Sequence, residues 1–228
     1  MRRLTKILIA IGATIVVLLA LAFAGWYFFL KSDPAPRVSI KKTPVSEGGA
    51  LDGTYRVSPG DPNSIVGYRV QEMLAAVGFE TTATGRTSEI TGTFTIQGMM
   101  VKDVNVTANL LSLKSDREMR DNRIKTLGLE SEKFPESKFV LAQPINFQSV
   151  PKAGETVKAT AVGDFTLHGV TRRVSIPLEG RWDGRDIQVI GNLHIKFGDY
   201  QMEAPNLANF VSVKDEGEME FQIFFRKA

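Results

Sequence analysis

The sequence predicts an all-β domain of about eight antiparallel strands, preceded by one transmembrane helix. Three observations carry that expectation. Apolar residues recur mostly at every second position from Leu51 onward, a run of 24 uncharged residues lies between Lys6 and Lys31, and a stretch rich in Pro, Ser and Gly separates the two. A chain of 228 residues has room for one ordinary domain and an appendage. Its hydrophobic share of 43% and charged share of 23% are those of a folded protein, so no long segment reads as disordered.

The uncharged run, residues 7–30, reads "ILIAIGATIVVLLALAFAGWYFFL". At about 1.5 Å per residue it exceeds the roughly 30 Å hydrocarbon core of a bilayer as a helix. Trp26 and Tyr27 stand near one end, where amphipathic rings favour the membrane interface. Ala22-Phe23-Ala24 fits a signal-peptide cleavage site, but the run outlasts the h-region of about 7–15 residues that such a peptide carries. Residues 1–31 are therefore expected to be an uncleaved anchor, with secretion after cleavage as the alternative. Arg2, Arg3 and Lys6 favour a cytoplasmic N-terminus, while Lys31, Arg37, Lys41 and Lys42 stand on the other flank, so charge alone does not fix the orientation. Residues 32–50, "SDPAPRVSIKKTPVSEGGA", read as a flexible tether, and residues 51–228 as the domain.

The net charge of +3 is unevenly spread: residues 1–42 hold seven of the 28 basic residues and one of the 25 acidic ones. The remainder is mildly acidic and a poor candidate for gripping phosphate backbones, so no nucleic-acid partner is expected. There are no cysteines, which excludes disulfides, thiolate metal sites and a cysteine nucleophile.

In the domain, Tyr55 and Val57 form the first alternating run, and Val66, Tyr68 and Val70 the second. Phe94 and Ile96 follow, then Val104, Val106, Ala108 and Leu110, then Phe139 and Leu141. Val157, Ala159, Ala161, Phe165 and Leu167 lead to Val174, Ile176, Leu178 and Trp182. Ile187, Val189, Leu193, Ile195 and Phe197 precede the last run, Met219, Phe221, Ile223 and Phe225. Polar residues alternate with these, so one face of each strand is expected to meet water, as in antiparallel sheets. Asp183-Gly184-Arg185 suits a hairpin. Periodicity does not separate a barrel from a sandwich; closure removes exposed edges, which favours the barrel.

Two segments break the rhythm. Ser115 to Phe134 begins as a charged helix with Asp116 as a cap, placed over one barrel mouth. Glu72 to Phe79, "EMLAAVGF", fits either a short lid helix or an irregular strand.

Candidate chemistry is sparse. His168 lies in "GDFTLHGVTRRVSI", where a general base would need hydrogen-bonding partners and a zinc site three or four ligands. His194 occupies an outward position, and no H-E-x-x-H or G-x-S-x-G motif is present. The plainer reading is that His168-Gly169 forms a turn, with Gly supplying positive φ and the imidazole bonding locally to backbone. Phe134, before Pro135, either sets the entry to the next strand or plugs the barrel mouth. Arg117, Arg120, Arg123, Arg172 and Arg173 either form a solvated face or meet a polar headgroup. No catalytic residue, metal or cofactor is expected, and the protein is read as no enzyme.

"DREMRDNRIKTLGLESEKFPESKF" and "GDFTLHGVTRRVSIPLEG", supported by "YRVSPGDPNSIVGYRV" and "TGTFTI", resemble the YceI-like polyisoprenoid-binding family from about Leu51 to Ala228. The resemblance implies a lipocalin-like, eight-stranded antiparallel barrel with a short helix near one mouth, periplasmic or secreted, holding an isoprenoid quinone or polyprenyl chain. The lipid-binding interior would then be Val66, Tyr68, Phe94, Ile96, Val106, Ala108, Leu110, Phe139, Leu141, Ala159, Ala161, Phe165, Leu167, Val174, Ile176, Leu178, Trp182, Val189, Leu193, Ile195, Phe197, Phe221 and Ile223. Small inward residues (Ala108, Ala159, Ala161, Gly163, Gly191) are expected to leave room for it. Together these readings describe a carrier or reservoir tethered through residues 7–30 in a bacterial cell membrane, its barrel extracytoplasmic. The alternative is an envelope interaction protein whose barrel is filled.

Overall fold

A computed structural model describes residues 2–29, 33–46, 49–58, 61–74, 78–207 and 211–228. The chain forms two compact units, Met1–Asp33 and Pro34–Ala228. The first is helix α1 (Arg2–Phe29), whose stretch Thr5–Gly25 has a mean hydropathy of 2.9 and buries none of its residues within the protein. It is long and apolar enough to cross a bilayer.

The second unit is built mainly of strands. In chain order these are β1 (Gly53–Val57), β2 (Ile65–Leu74), β3 (Phe79–Thr87), β4 (Ile90–Gln97), β5 (Met100–Asn109), β6 (Lys114–Ser115), β7 (Glu136–Leu141), β8 (Ile145–Asn146), β9 (Thr156–Leu167), β10 (Val170–Trp182), β11 (Asp186–Lys196), β12 (Asn206–Leu207) and β13 (Val211–Lys227), with α2 (Glu118–Ile124) between β6 and β7. The ring β1-β4-β5-β7-β9-β10-β11-β13 closes because β1 pairs with both β4 and β13, giving an eight-stranded antiparallel barrel. The 17-residue β13 makes closure possible. One edge pairs with β11 from Glu216 to Arg226, and the other is shared by β2 at Val211–Gln222 and β1 at Phe225–Lys227. Hairpin β2–β3 thus continues the wall beyond the reach of β1.

Each strongly alternating run lies in a strand, except that Leu110 falls just past β5 and Phe197 opens a 3-10 turn just past β11. β3 escapes the pattern because beyond Phe79 it reads Glu-Thr-Thr-Ala-Thr-Gly-Arg-Thr, with no large apolar residue. Gly85 lies under the Tyr68 ring, so a Cβ there would come within 2.8 Å of the phenol oxygen. The segment "EMLAAVGF" supplies the end of β2 and the start of β3; it is strand and turn, with residues 75–77 outside those described. Helix α2 begins at Glu118 behind Arg117, which makes no side-chain cap, so Asp116 is not the cap. Asp116 instead pairs with Arg120, and Asp121 accepts from the Ser115 amide (2.8 Å) and hydroxyl (2.6 Å). Arg120 fixes the helix to β2 with two bonds to Glu72, at 3.0 and 2.9 Å.

The stretch expected to be a flexible tether is not free. From Ala35 to Ser46 it crosses the outside of five strands as a strap. The Ala35 amide donates to Thr84 (2.9 Å) on β3, and Arg69 of β2 donates to the Ala35 carbonyl (2.7 Å). Arg37 pairs with Glu218 of β13, Gln188 of β11 donates to the Ser39 carbonyl and accepts from the Lys41 amide, and Arg181 of β10 donates to the Thr43 carbonyl. The Ser46 amide ends the path on the Asp183 carbonyl at 2.7 Å. The strap buries side chains that alternation would send to water: Arg69, Thr84, Arg181, Gln188, Glu220 and Gln222. Glu220 is 2% exposed and bonds Arg86 at 2.7 Å and Arg69 at 3.5 Å, while Gln188 donates to Gln222 at 3.1 Å.

Candidate functional site: an apolar chamber in the barrel

Inward side chains form two clusters. One, around Leu51, Tyr55, Phe94, Ile96, Ile187, Ile223 and Phe225, lies at the end of the barrel carrying the β4–β5, β7–β9 and β10–β11 connections. The other, around Tyr68, Leu110, Leu113, Leu167, Ile195, Phe197, Tyr200 and Met202, fills the opposite end beneath α2 and the β9–β10 turn. The second cluster is a plug. Side chains of the first cluster surround a cavity of about 200 Å³, and Phe139, Phe165, Leu193 and Met219 form its floor on the side of the plug. Its wall reaches the surface beside the β7–β9 connection, where Ile145, Phe147, Pro151 and Glu155 join it.

Of the expected lipid-binding residues, Val66, Phe94, Ile96, Val106, Ala108, Phe139, Ala159, Ala161, Phe165, Ile176, Leu178, Trp182, Val189, Leu193, Phe221 and Ile223 do line this cavity. Tyr68, Leu110, Leu167, Ile195 and Phe197 do not; they make the plug, with Val174 packed against it. Leu141 is half-buried and borders neither. Alternation assigns a side chain to the inside of a barrel but is blind to its height along the axis. That is why one inward set divides into wall and plug.

Two of the small inward residues also act differently from expectation. A Cβ on Gly191 would lie 2.6 Å from Phe221 Cζ, and one on Gly163 would collide with the Phe139 ring. Both glycines are covered by aromatic rings. The space in the chamber comes from Ala108, Ala159 and Ala161.

The wall is nearly all hydrocarbon. Its polar members are Ser137, Lys138, Glu155, Arg181 and Glu220. Arg181 turns its guanidinium outward to the strap, Glu220 turns its carboxylate outward to Arg69 and Arg86 of β2 and β3, and the Glu155 carboxylate accepts from the Lys152 amide at the rim. Such a surface binds by removing apolar area from water. Sequence reasoning missed Ile145, Phe147 and Pro151, because they come from the two-residue strand β8 and the loop after it, where alternation is too short to read.

His168 lies at the plugged end, away from the cavity. His168 and Gly169 both have positive φ, 51° and 73°, and make the β9–β10 turn as expected. The imidazole, however, is 7% exposed and bonds to distant partners. Nδ1 donates to the Tyr200 carbonyl at 3.1 Å, and Nε2 meets Glu130 Oε2 at 2.6 Å. Phe134 packs against the imidazole, tilted by 54° at a centroid distance of 4.2 Å, and does not line the chamber. His168 therefore pins together the β9–β10 turn, the segment after α2 and the turn following β11. His194 is exposed beside Glu216, at 3.3 Å.

Four of the five arginines weighed as headgroup contacts have partners: Arg172 donates to the Asp199 carbonyl, Arg173 to Asp164 and Arg120 to Glu72, and Arg117 lies 3.8 Å from Asp116. Burial holds the Tyr68 phenol well above its usual range, and its hydroxyl has no partner among the described residues. No group of three His, Cys, Asp or Glu able to hold a metal occurs among the described residues.

Fold and cavity together define a small closed β-barrel with an apolar chamber, plugged at one end and reaching the surface at the other. Residues 55–225 match the model of the YceI-like domain, and the chain belongs to that family. It is 29% identical over 145 residues to a UPF0312 protein of Photorhabdus laumondii, covering 62% of this chain and 69% of the relative. Its fold resembles a polyisoprenoid binding domain from Saccharophagus degradans, described as implicated in plant cell wall breakdown, at 18% identity and a TM-score of 0.60, covering 76% of this chain and 98% of that one. A second likeness is to BcnA of Burkholderia cenocepacia, at 14% identity and a TM-score of 0.50, covering 71% and 94%.

Proposed function

We propose that this protein binds an isoprenoid lipid, as a quinone or a polyprenyl chain, in the apolar chamber, and acts without catalysis as a membrane-tethered carrier or reservoir outside the cytoplasm. The observation that carries the reading is the cavity itself: about 200 Å³ walled by aliphatic and aromatic side chains, in a barrel of the YceI-like family. The polyisoprenoid binding domain of Saccharophagus degradans, which shares the fold, supports the choice of ligand.

Pockets for small molecules commonly enclose about 300–1,000 Å³, so this chamber takes one segment of such a chain as it stands. A longer segment enters by swinging Phe139 and Phe221 off Gly163 and Gly191. Each buried methylene is worth about 0.8 kcal/mol, so a few isoprene units offset the ordering costs of binding. Helix α1 supplies the tether: a ligand that hardly dissolves in water is best collected beside a bilayer. The test is mass spectrometry of organic extracts of the full-length protein purified from membranes, followed by uptake of added prenyl quinone. A prenyl lipid in the extract or saturable uptake is expected; the absence of both ends the proposal.

A further inference from the structure

We propose that the open end of the barrel is a lipid-surface docking edge, built from Met99, Val150 and Val45, through which a prenyl chain passes between bilayer and chamber without entering water. The inference rests on the lipid-binding reading for its purpose and on the surface for its place.

Three of the barrel's large hydrophobic residues stand out from the surface at this end: Val45 and Val150, each 53% exposed, and Met99, 48% exposed. Single exposed aliphatics are ordinary; contiguity with a cavity is not. The Phe147 amide donates to the Met99 carbonyl at 2.8 Å, and β8 pairs with β5 from Met100, so Met99 stands next to a residue of the cavity wall. Val150 precedes Pro151, another wall residue. Val45, near the end of the strap, lies against Gly154, where a Cβ would be 2.8 Å from its Cγ2. The apolar lining therefore continues over the rim to the outside along the β7–β9 connection.

Exposed hydrophobics at the other end, Phe79, Leu111, Met119 and Leu127, have the plug between them and the chamber. The chain itself names the occupant of the open edge. Helix α1 is uncharged along its apolar run and buries nothing against protein, so its stable surroundings are a bilayer, and every barrel is covalently joined to a segment that seeks one. Apolar side chains on a rim enter the headgroup boundary of such a surface.

The chain has no cysteine, so one introduced thiol labels cleanly. The experiment uses the full-length protein in vesicles of phosphatidylethanolamine and phosphatidylglycerol containing a brominated-acyl lipid. Met99→Cys, Val150→Cys and Met119→Cys each carry an environment-sensitive fluorophore. Blue-shifted, bromine-quenched emission is expected at positions 99 and 150, with water-like, unquenched emission at 119. Unquenched probes at 99 and 150, or quenching at 119 instead, overturn the proposal. In parallel, the unlabelled Met99→Glu/Val150→Glu protein should take up prenyl quinone from vesicles about tenfold or more slowly, with unchanged final occupancy. An unchanged uptake rate overturns the route. Quenching at the rim in a protein that carries no prenyl lipid and takes up no quinone supports docking and overturns the lipid-binding reading; uptake with an unquenched rim does the reverse.

Discussion

Replacing Glu220 by alanine removes the single carboxylate that stands between two guanidinium groups under the strap. Glu220 is 2% exposed, Arg69 9% and Arg86 20%, and the pairs measure 3.5 and 2.7 Å. Arg69 and Arg86 also donate to the carbonyls of Ala35 and Pro36, so the carboxylate holds the donors that hold the strap. Removing one partner of a buried pair costs about 3–5 kcal/mol. Arg86 keeps some access to water, which places the cost near the lower bound. At about 2–4 °C per kcal/mol for a domain of this size, the barrel should melt roughly 6–12 °C lower. Circular dichroism melts of the full-length protein in detergent read this directly. Limited trypsinolysis reads the strap, which offers Arg37, Lys41 and Lys42; cleavage there should accelerate well before the barrel unfolds. Glu220→Gln, which keeps the shape, should move both readings the same way. A melt within about 1 kcal/mol of the unmodified protein, or a strap equally resistant to trypsin, would refute the strap's role as part of the fold.

Three further outcomes are expected. His168→Ala loses bonds to Glu130 and the Tyr200 carbonyl and should destabilise the barrel by about 1.5–3 kcal/mol while leaving quinone uptake unchanged; lost uptake in a stably folded variant would place the histidine in the function. Ala161→Phe puts a ring in the chamber and should abolish lipid uptake with a melt lowered by no more than about 1–3 kcal/mol; full uptake would show that ligand lies elsewhere. The Arg37 hydrogen bond holds the Glu218 carboxyl below its ordinary range, so the pair contributes stability above the usual carboxylate pKa of about 4.3 and loses it as pH falls through the lowered value. Glu218→Gln should therefore melt lower at pH 7, by at most about 1 kcal/mol for a pair this exposed, and the difference should close in acid; a difference that persists below both values would contradict the assignment.

Much of the barrel was legible because its strands carry their own signal. Apolar residues, large or small, at every second position mark β9, β10, β11 and β13 clearly. β3 was silent because the Tyr68 ring from the neighbouring strand covers Gly85 and takes the place of a side chain of its own. The turn at His168-Gly169 was legible from residue type. The partners of His168 were not, since Glu130 and Tyr200 are 38 and 32 residues away. The strap reads as linker by composition, because its bonds are mostly made by backbone groups, which any residue type offers.

Sequence alone determined the period of the strands, the parity that separates inside from outside, and the apolar helix that precedes them. These are local properties of hydrophobic patterning and chain geometry. Tertiary structure decided where along the axis the interior is filled and where it is hollow. It set Phe139 and Phe221 over Gly163 and Gly191, and laid residues 35–46 across charges that parity sends to water. Such outcomes depend on which side chains meet across strands far apart in the chain, and on how much volume they take when they meet.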